Sequence, residues 1–179
     1  NVKNMCQMFA VCSSLTELDV TCFDTRQVTD MSGMFMDCES LTTLNLTNFK
    51  TDNVKDMSSM FGFCESLTSL NLDNFNTSNV IRMDYMFHYC YNLESLKISN
   101  FKTKKVGGMR EMFLACYALN NLDLSSFDTS LVDDMESMFG GCSSLTTLNL
   151  SSSFVISDDA SITDMMVNVG ANAHCKVYD

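Results

Sequence analysis

A 26-residue repeat fills nearly the whole chain and limits the possible folds more than any other feature. The pair Met-Phe recurs every 26 residues, from Met8-Phe9 to Met138-Phe139, without an insertion. Columns of Met, Cys, Leu, Phe, Thr and Val recur at the same step. A unit this short cannot bury its apolar face alone, so it must stack on copies of itself. The repeat therefore predicts a stack of coils around one continuous core.

Two hydrophobic periods lie within each unit. The first is an i, i+3, i+4, i+7 pattern, typical of one face of a short helix, and in the first unit it comprises Met5, Met8, Phe9 and Cys12. The second is an alternation at Leu18 and Val20, typical of a half-buried strand. We expect an α/β repeat: a right-handed solenoid with a parallel β-sheet on one side and short helices or helical turns on the other.

The residue before the first Met of each unit is a good helix N-cap in four of the six units. Arg82 and Gly108 break this column, and we expect altered helix starts there. Residues 1–154 form six repeats, the first opening in mid-unit. The register then degrades, since Phe154 comes one residue late. Residues 155–179 are predicted to form a degenerate last coil or a C-terminal cap.

One column of cysteines recurs on the apolar face of the units: Cys12, Cys38, Cys64, Cys90, Cys116 and Cys142. Free cysteine behaves as a small buried hydrophobe, which favours a structural column of buried reduced thiols. Disulfide bonds remain an alternative, because stacked coils bring column neighbours close enough to bridge. A metal site is less favoured, because the short CxxC spacing of zinc sites is missing.

The string LTTLNLTNFKTDNVKDMSSMFGFC, at residues 41–64, resembles the leucine-rich repeats of the BspA-like bacterial surface proteins. It matches the subtype whose units are roughly MxxMFxxCxSLxxLxLxxFxTxxV, over residues 2–154. The resemblance implies a leucine-rich repeat solenoid that is extracellular or displayed on a cell surface. It also implies adhesion to host or neighbouring cells, and it carries over no catalytic residue.

Charge and motifs exclude several functions. A net charge of -11 disfavours nucleic acid and anionic membranes, because both attract basic proteins. There is no apolar run long enough for direct membrane insertion. The sequence contains no HExxH, GxSxG or P-loop motif, so we expect no enzyme activity, no metal site and no cofactor.

The variable positions around the Met-Phe-Cys segments of units three to five carry a group of large side chains: Phe63, Tyr85, His88, Tyr89, Tyr91, Leu114 and Tyr117. Clustered exposed aromatics mark interaction surfaces, although some of these side chains could instead fold under an adjacent loop. A basic stretch lies nearby in sequence and includes Lys102, Lys104 and Lys105. It is either a solvated charge run or part of the same docking zone.

Together these features predict a non-catalytic cell-surface binding or adhesion module whose partner is an extracellular protein or glycan. The alternative is a structural protein that associates end to end into filaments, because contacts of this kind do not close.

Overall fold

The computed structural model describes residues 2–170 and the backbone of residues 174–178. Its strands are β1 (Ser69–Asn71), β2 (Ser95–Lys97), β3 (Asn121–Leu124), β4 (Thr147–Ser151) and β5 (His174–Tyr178). All strand pairs are parallel, β1 with β2 in one sheet and β3-β4-β5 in a second. The strand predicted for the first two units does not form, and Leu18 and Leu44 there are only half-buried.

A second line of parallel bridges joins the coils. It runs through Asn4, Asp30, Asp56, Arg82, Gly108, Asp134 and Ser161. We number the coils from these residues, so coil one begins at 4 and coil seven at 161. The step from Asp134 to Ser161 is one residue longer than the others because an extra residue precedes Phe154, which explains its late position. Coil seven belongs to the region 155–179, of which 171–173 and 179 lie outside the described residues.

Of the predicted short helices or helical turns, the helices are wrong. Among the described residues there is no α-helix, and turns occupy the Met-Phe-Cys segments. In coil one the amides of Met8 and Cys12 bond the carbonyls of Met5 and Phe9, three residues back. Between them, the amides of Phe9 and Val11 bond carbonyls of coil two. The Ala10 amide bonds the Gln7 carbonyl in the same way, so each segment is a run of three overlapping four-residue turns, with alternate amides joined to the next coil.

Residues with a positive φ angle distinguish these turns from a helix. Gln7 (φ 55°) and Val11 (φ 62°) are the third residues of the first and last turns in coil one, where a type II turn requires positive φ. The same two positions have positive φ in all seven coils. A positive φ interrupts a right-handed helix, yet the successive four-residue turns still direct Met5, Phe9 and Cys12 inward.

The core is a set of buried columns that runs along the stack. Phe35, Phe61 and Phe87 are fully buried and stack with ring centroids 5.8 and 5.7 Å apart. The buried Met, Leu and Val columns surround them. Each fully buried Phe, Leu or Met side chain contributes about 1.5–3 kcal/mol relative to an exposed one, so the columns dominate the stability.

Candidate functional site

The left-handed turn positions also determine where the aromatic side chains lie. Phe63 (φ 59°) and Tyr89 (φ 57°) occupy the second left-handed position of their coils, and Tyr85 (φ 61°) occupies the first. All three side chains are half-buried at the surface rather than in the core. Because these positions face outward, their residue type varies between coils while the inward columns do not.

His88 lies at the centre of the aromatic group. Its ring centroid is 4.8 Å from that of Phe63, 5.5 Å from that of Tyr85 and 4.1 Å from that of Tyr89. The contacts with Phe63 and Tyr85 are edge-to-face, an arrangement that aromatic pairs favour. Four side chains from coils three and four therefore form one continuous contact network.

The network continues into coil five through tyrosines. Tyr89 lies 5.6 Å from Tyr91, and Tyr91 stacks on Tyr117 at 5.2 Å with the ring planes 4° apart. Tyr117 is the most exposed member, with 48% of its surface accessible. We call Phe63, Tyr85, His88, Tyr89, Tyr91 and Tyr117 the aromatic cluster.

Glycines in coil six make room for the coil-five edge of this surface. A Cβ at Gly140 would lie 2.8 Å from Cδ1 of Leu114, and one at Gly141 would lie 3.3 Å from Cε1 of Tyr117. Leu114, also predicted to contact a partner, is half-buried beside the cluster through this packing. The missing Cβ atoms of Gly140 and Gly141 thus leave space for the side chains of Leu114 and Tyr117 to pack against coil six.

His88 is neutral at physiological pH. Burial lowers its pKa to about 4, although its Nε2 atom lies only 3.1 Å from Oε2 of Glu111. Neutral imidazole carries one N–H group, and Glu111 can accept a hydrogen bond from it. The same glutamate lies 3.3 Å from Arg110, so the cluster adjoins a charged network on its coil-five side.

Two arginines near the cluster, Arg82 and Arg110, belong to that network. Arg110 donates to Glu136, with Nη2 2.6 Å from Oε1, and lies 3.8 Å from Asp134. Arg82 lies 3.7 Å from Asp84. Arg82 also lies 4.0 Å from Asp56 of coil three, so both cations are matched by carboxylates of their own or a neighbouring coil.

The lysines lie elsewhere. Lys105 donates to Asn79 at 2.8 Å, and the backbone N–H of Lys102 bonds Thr77. Among the described residues, no hydrogen bond or ion pair joins Lys102, Lys104 or Lys105 to the aromatic cluster. The structure brings the predicted aromatic residues together but does not connect the predicted lysines to them.

The cysteine column is part of the core. Cys38, Cys64, Cys90, Cys116 and Cys142 are fully buried, whereas Cys12 in coil one is half-buried. Each buried thiol donates to a phenylalanine carbonyl 29 residues back, as from Cys90 to Phe61 at 3.1 Å. Burial raises the pKa of Cys38 to about 11 and that of Cys142 to about 12. Thiols held protonated in this way are poor nucleophiles and metal ligands.

Two polar columns bind the coils together. The buried column is Thr25, Thr51, Thr77, Thr103 and Thr129. Thr77 is typical, because its hydroxyl donates to the Lys102 carbonyl at 3.1 Å and accepts from the Lys102 amide at 2.7 Å. No role for this column was predicted from the sequence. A polar residue that recurs between the buried Phe and Val columns is nevertheless a signal for a buried, hydrogen-bonded side chain. The other column is asparagine, and Asn74 and Asn100 donate to backbone carbonyls of the preceding coil.

The predicted N-cap residues have a related function in turns. Asp30 and Asp56 accept the backbone N–H two residues on, at 2.9 Å each. Gly108 carries no such side chain, and Asp84 from the preceding coil occupies the space where its Cβ would lie. Asp84 accepts the Arg110 amide at 3.2 Å, so the altered start in coil five is capped from outside.

Within the described residues, no group of three or more His, Cys, Asp or Glu side chains could hold a metal ion. No helix in the part of the chain that the structure describes could cross a bilayer.

Coils that repeat every 26 residues and join through parallel bridges define a parallel, β-rich repeat protein. The chain belongs to the family described as "Mycoplasma protein of unknown function, DUF285", whose sequence model matches residues 1–70 and 56–176. No curated protein and no solved structure matches the chain.

Proposed function

We propose that this chain is a leucine-rich repeat solenoid of the BspA-like subtype, right-handed, that acts as a non-catalytic binding or adhesion module at a cell surface. The parallel strands at the LxxLxL segments and the stacking of coils support the fold. The resemblance of the repeat unit supports the subtype and the extracellular location.

The aromatic cluster is the proposed contact surface, and its continuity is the observation that carries the proposal. Aromatic side chains are enriched at protein interfaces, because they bury a large area with little loss of conformational freedom. Here six such side chains from three coils touch one another and none lies in the core. The corresponding positions of coil six carry Ser137, Gly140, Gly141 and Ser143, so the surface is a local specialisation of the repeat.

The test removes two members of the cluster while preserving the backbone. In Tyr89→Asn/Tyr117→Ala, asparagine tolerates the left-handed conformation of position 89. We expect binding to cells or to extracellular matrix to fall by about ten-fold or more, since interface tyrosines often contribute over 1 kcal/mol each.

The matched control is Val11→Asn, which occupies the same turn position in coil one and is 66% exposed. It should leave binding unchanged. Circular dichroism and thermal unfolding establish that each variant folds. Unchanged binding of the double variant would show that the cluster is not the contact surface.

End-to-end association is the second candidate function, favoured by complementary edges. Among the described residues, the carbonyls of Asn4, Cys6, Met8 and Ala10 accept no bond from another coil, whereas their counterparts in coils two to seven do. At the opposite edge, the amides of Ile162, Asp164, Met166 and Asn168 donate no backbone bond within the part of the chain that the structure describes. A second copy stacked head to tail would pair these donors with these acceptors, and such contacts build open filaments.

Light scattering and negative-stain electron microscopy over a range of concentrations separate the two functions. Filaments that lengthen with concentration would support the second candidate. Discrete monomers at all concentrations would exclude it and leave the binding module.

A further inference from the structure

One row of side chains links the aromatic cluster to unpaired negative charge. The row contains one residue from each of four successive coils: Glu39, Glu65, Tyr91 and Tyr117. Backbone bonds fix its register, because the Ser66 amide donates to the Glu39 carbonyl and the Ala118 amide to the Tyr91 carbonyl. We call these four residues the Glu–Tyr row.

The carboxylates of this row have no cation beside them. Among the described residues, neither Glu39 nor Glu65 takes part in an ion pair, in contrast to the acidic side chains around Arg110. Glu39 is exposed and Glu65 is half-exposed. Glu65 and Tyr91 occupy the same position of adjacent coils, so this negative charge lies beside the tyrosines. Burial raises the pKa of Tyr91, and the Glu65 carboxylate raises it further.

Tyrosine rings and carboxylates attract the same chemical group. The face of an aromatic ring carries negative electrostatic potential and attracts a Lys or Arg cation, and a neighbouring carboxylate pairs with that cation directly. An anionic partner would meet repulsion from Glu39 and Glu65 and from a chain of net charge -11. The lysines of the chain do not reverse this balance, because they make no described contact with the cluster.

We propose that the Glu–Tyr row receives a basic peptide segment of a protein partner, with Lys or Arg side chains seated between the carboxylates and the tyrosine rings. This inference rests on the proposed docking function of the aromatic cluster and assigns its partner a chemical class.

The experiment titrates the full chain by calorimetry with three probes: a short Lys-Ser repeat peptide, a Glu-Ser peptide of equal length and a neutral N-acetylglucosamine oligosaccharide. We expect binding of the Lys-Ser peptide only, and weaker binding at physiological than at low salt. Glu39→Gln/Glu65→Gln should weaken it by about five-fold, and Tyr91→Leu/Tyr117→Leu by a similar factor.

The control Glu17→Gln/Asp158→Asn removes the same charge from two exposed sites away from the row, and should change binding less than about two-fold. Equal weakening by Glu39→Gln/Glu65→Gln and by this control would mean that the overall charge of the chain attracts the peptide. That result would overturn the inference. Binding of the Glu-Ser peptide or the oligosaccharide at the row would overturn it too, while leaving the docking function intact. Failure of the docking function would show separately, as unchanged cell or matrix binding by Tyr89→Asn/Tyr117→Ala.

Discussion

Replacement of Thr77 by valine tests the role that the structure gives to the buried threonine column. Thr77 is 1% exposed, and its hydroxyl makes two bonds with the backbone of Lys102, at 3.1 and 2.7 Å. Valine has nearly the same shape, so the substitution removes both bonds without opening a cavity. The amide and the carbonyl of Lys102 then lose this partner.

The expected loss follows from the two bonds. Each intramolecular hydrogen bond contributes about 1 kcal/mol net, and a donor left unsatisfied costs about 1–3 kcal/mol. We therefore expect Thr77→Val to lower the free energy of unfolding by about 2–3 kcal/mol. For a chain of this size that corresponds to a fall of roughly 4–12 °C in melting temperature.

Urea unfolding followed by circular dichroism measures this change. Thr77→Ser keeps the hydroxyl and should lose less stability, and Thr43→Val, at an exposed position, should change it by no more than about 0.5 kcal/mol. The reasoning is refuted if Thr77→Val costs no more than Thr43→Val.

Three further predictions concern the turns and the thiols. Val11→Gly should stabilise the chain by about 0.5–1 kcal/mol in urea unfolding, because valine is held at φ 62° and is 66% exposed; a loss of stability would contradict the turn geometry. A thiol reagent should label Cys6 and Cys22 in the native chain and the five buried column cysteines only after unfolding; labelling of the column in the native chain would contradict its burial. Burial raises the pKa of Cys142 from 9.0 to about 12, so the unfolded state loses that proton first and stability should fall as pH rises from 9 toward 12. Cys142→Ala should reduce the slope of stability against pH in this range. An unchanged slope would contradict the assignment.

The stack, its period and its core columns were predictable, because a 26-residue repeat leaves no other way to bury Met, Phe, Cys and Leu. The turns that replace the predicted helices were not predictable. Successive four-residue turns place Met31, Met34, Phe35 and Cys38 inward at spacings that a helix also produces, so hydrophobic periodicity cannot distinguish these turns from a helix. The distinguishing feature is the backbone conformation at Gln7 and Val11, and neither is a residue type that signals positive φ.

The candidate site was predictable for the same reason that the core was. Residues at one position of successive units become neighbours, and this brought Tyr91 and Tyr117 into contact. The predicted lysines do not lie at the site. Lys102, Lys104 and Lys105 are near Tyr91 in sequence but occupy different positions of the unit. In a coil of this length, nearness along the chain does not mean nearness in space, and Lys105 instead meets Asn79, 26 residues back. Asp84 was also unpredictable, since its capping role depends on the empty space at Gly108 in another coil.

Scalar couplings across hydrogen bonds, measured by NMR, test most directly whether the Met-Phe-Cys segments are turns bonded to the next coil. The structure predicts a coupling from the amide nitrogen of Phe61 to the carbonyl carbon of Met86, and one from Tyr89 to Leu114, since those N–O distances are 3.0 and 2.8 Å. Couplings from Phe61 to Met57 and from Tyr89 to Tyr85 would instead reveal α-helical segments. That result would contradict the turn ladder and with it the backbone that places the aromatic cluster.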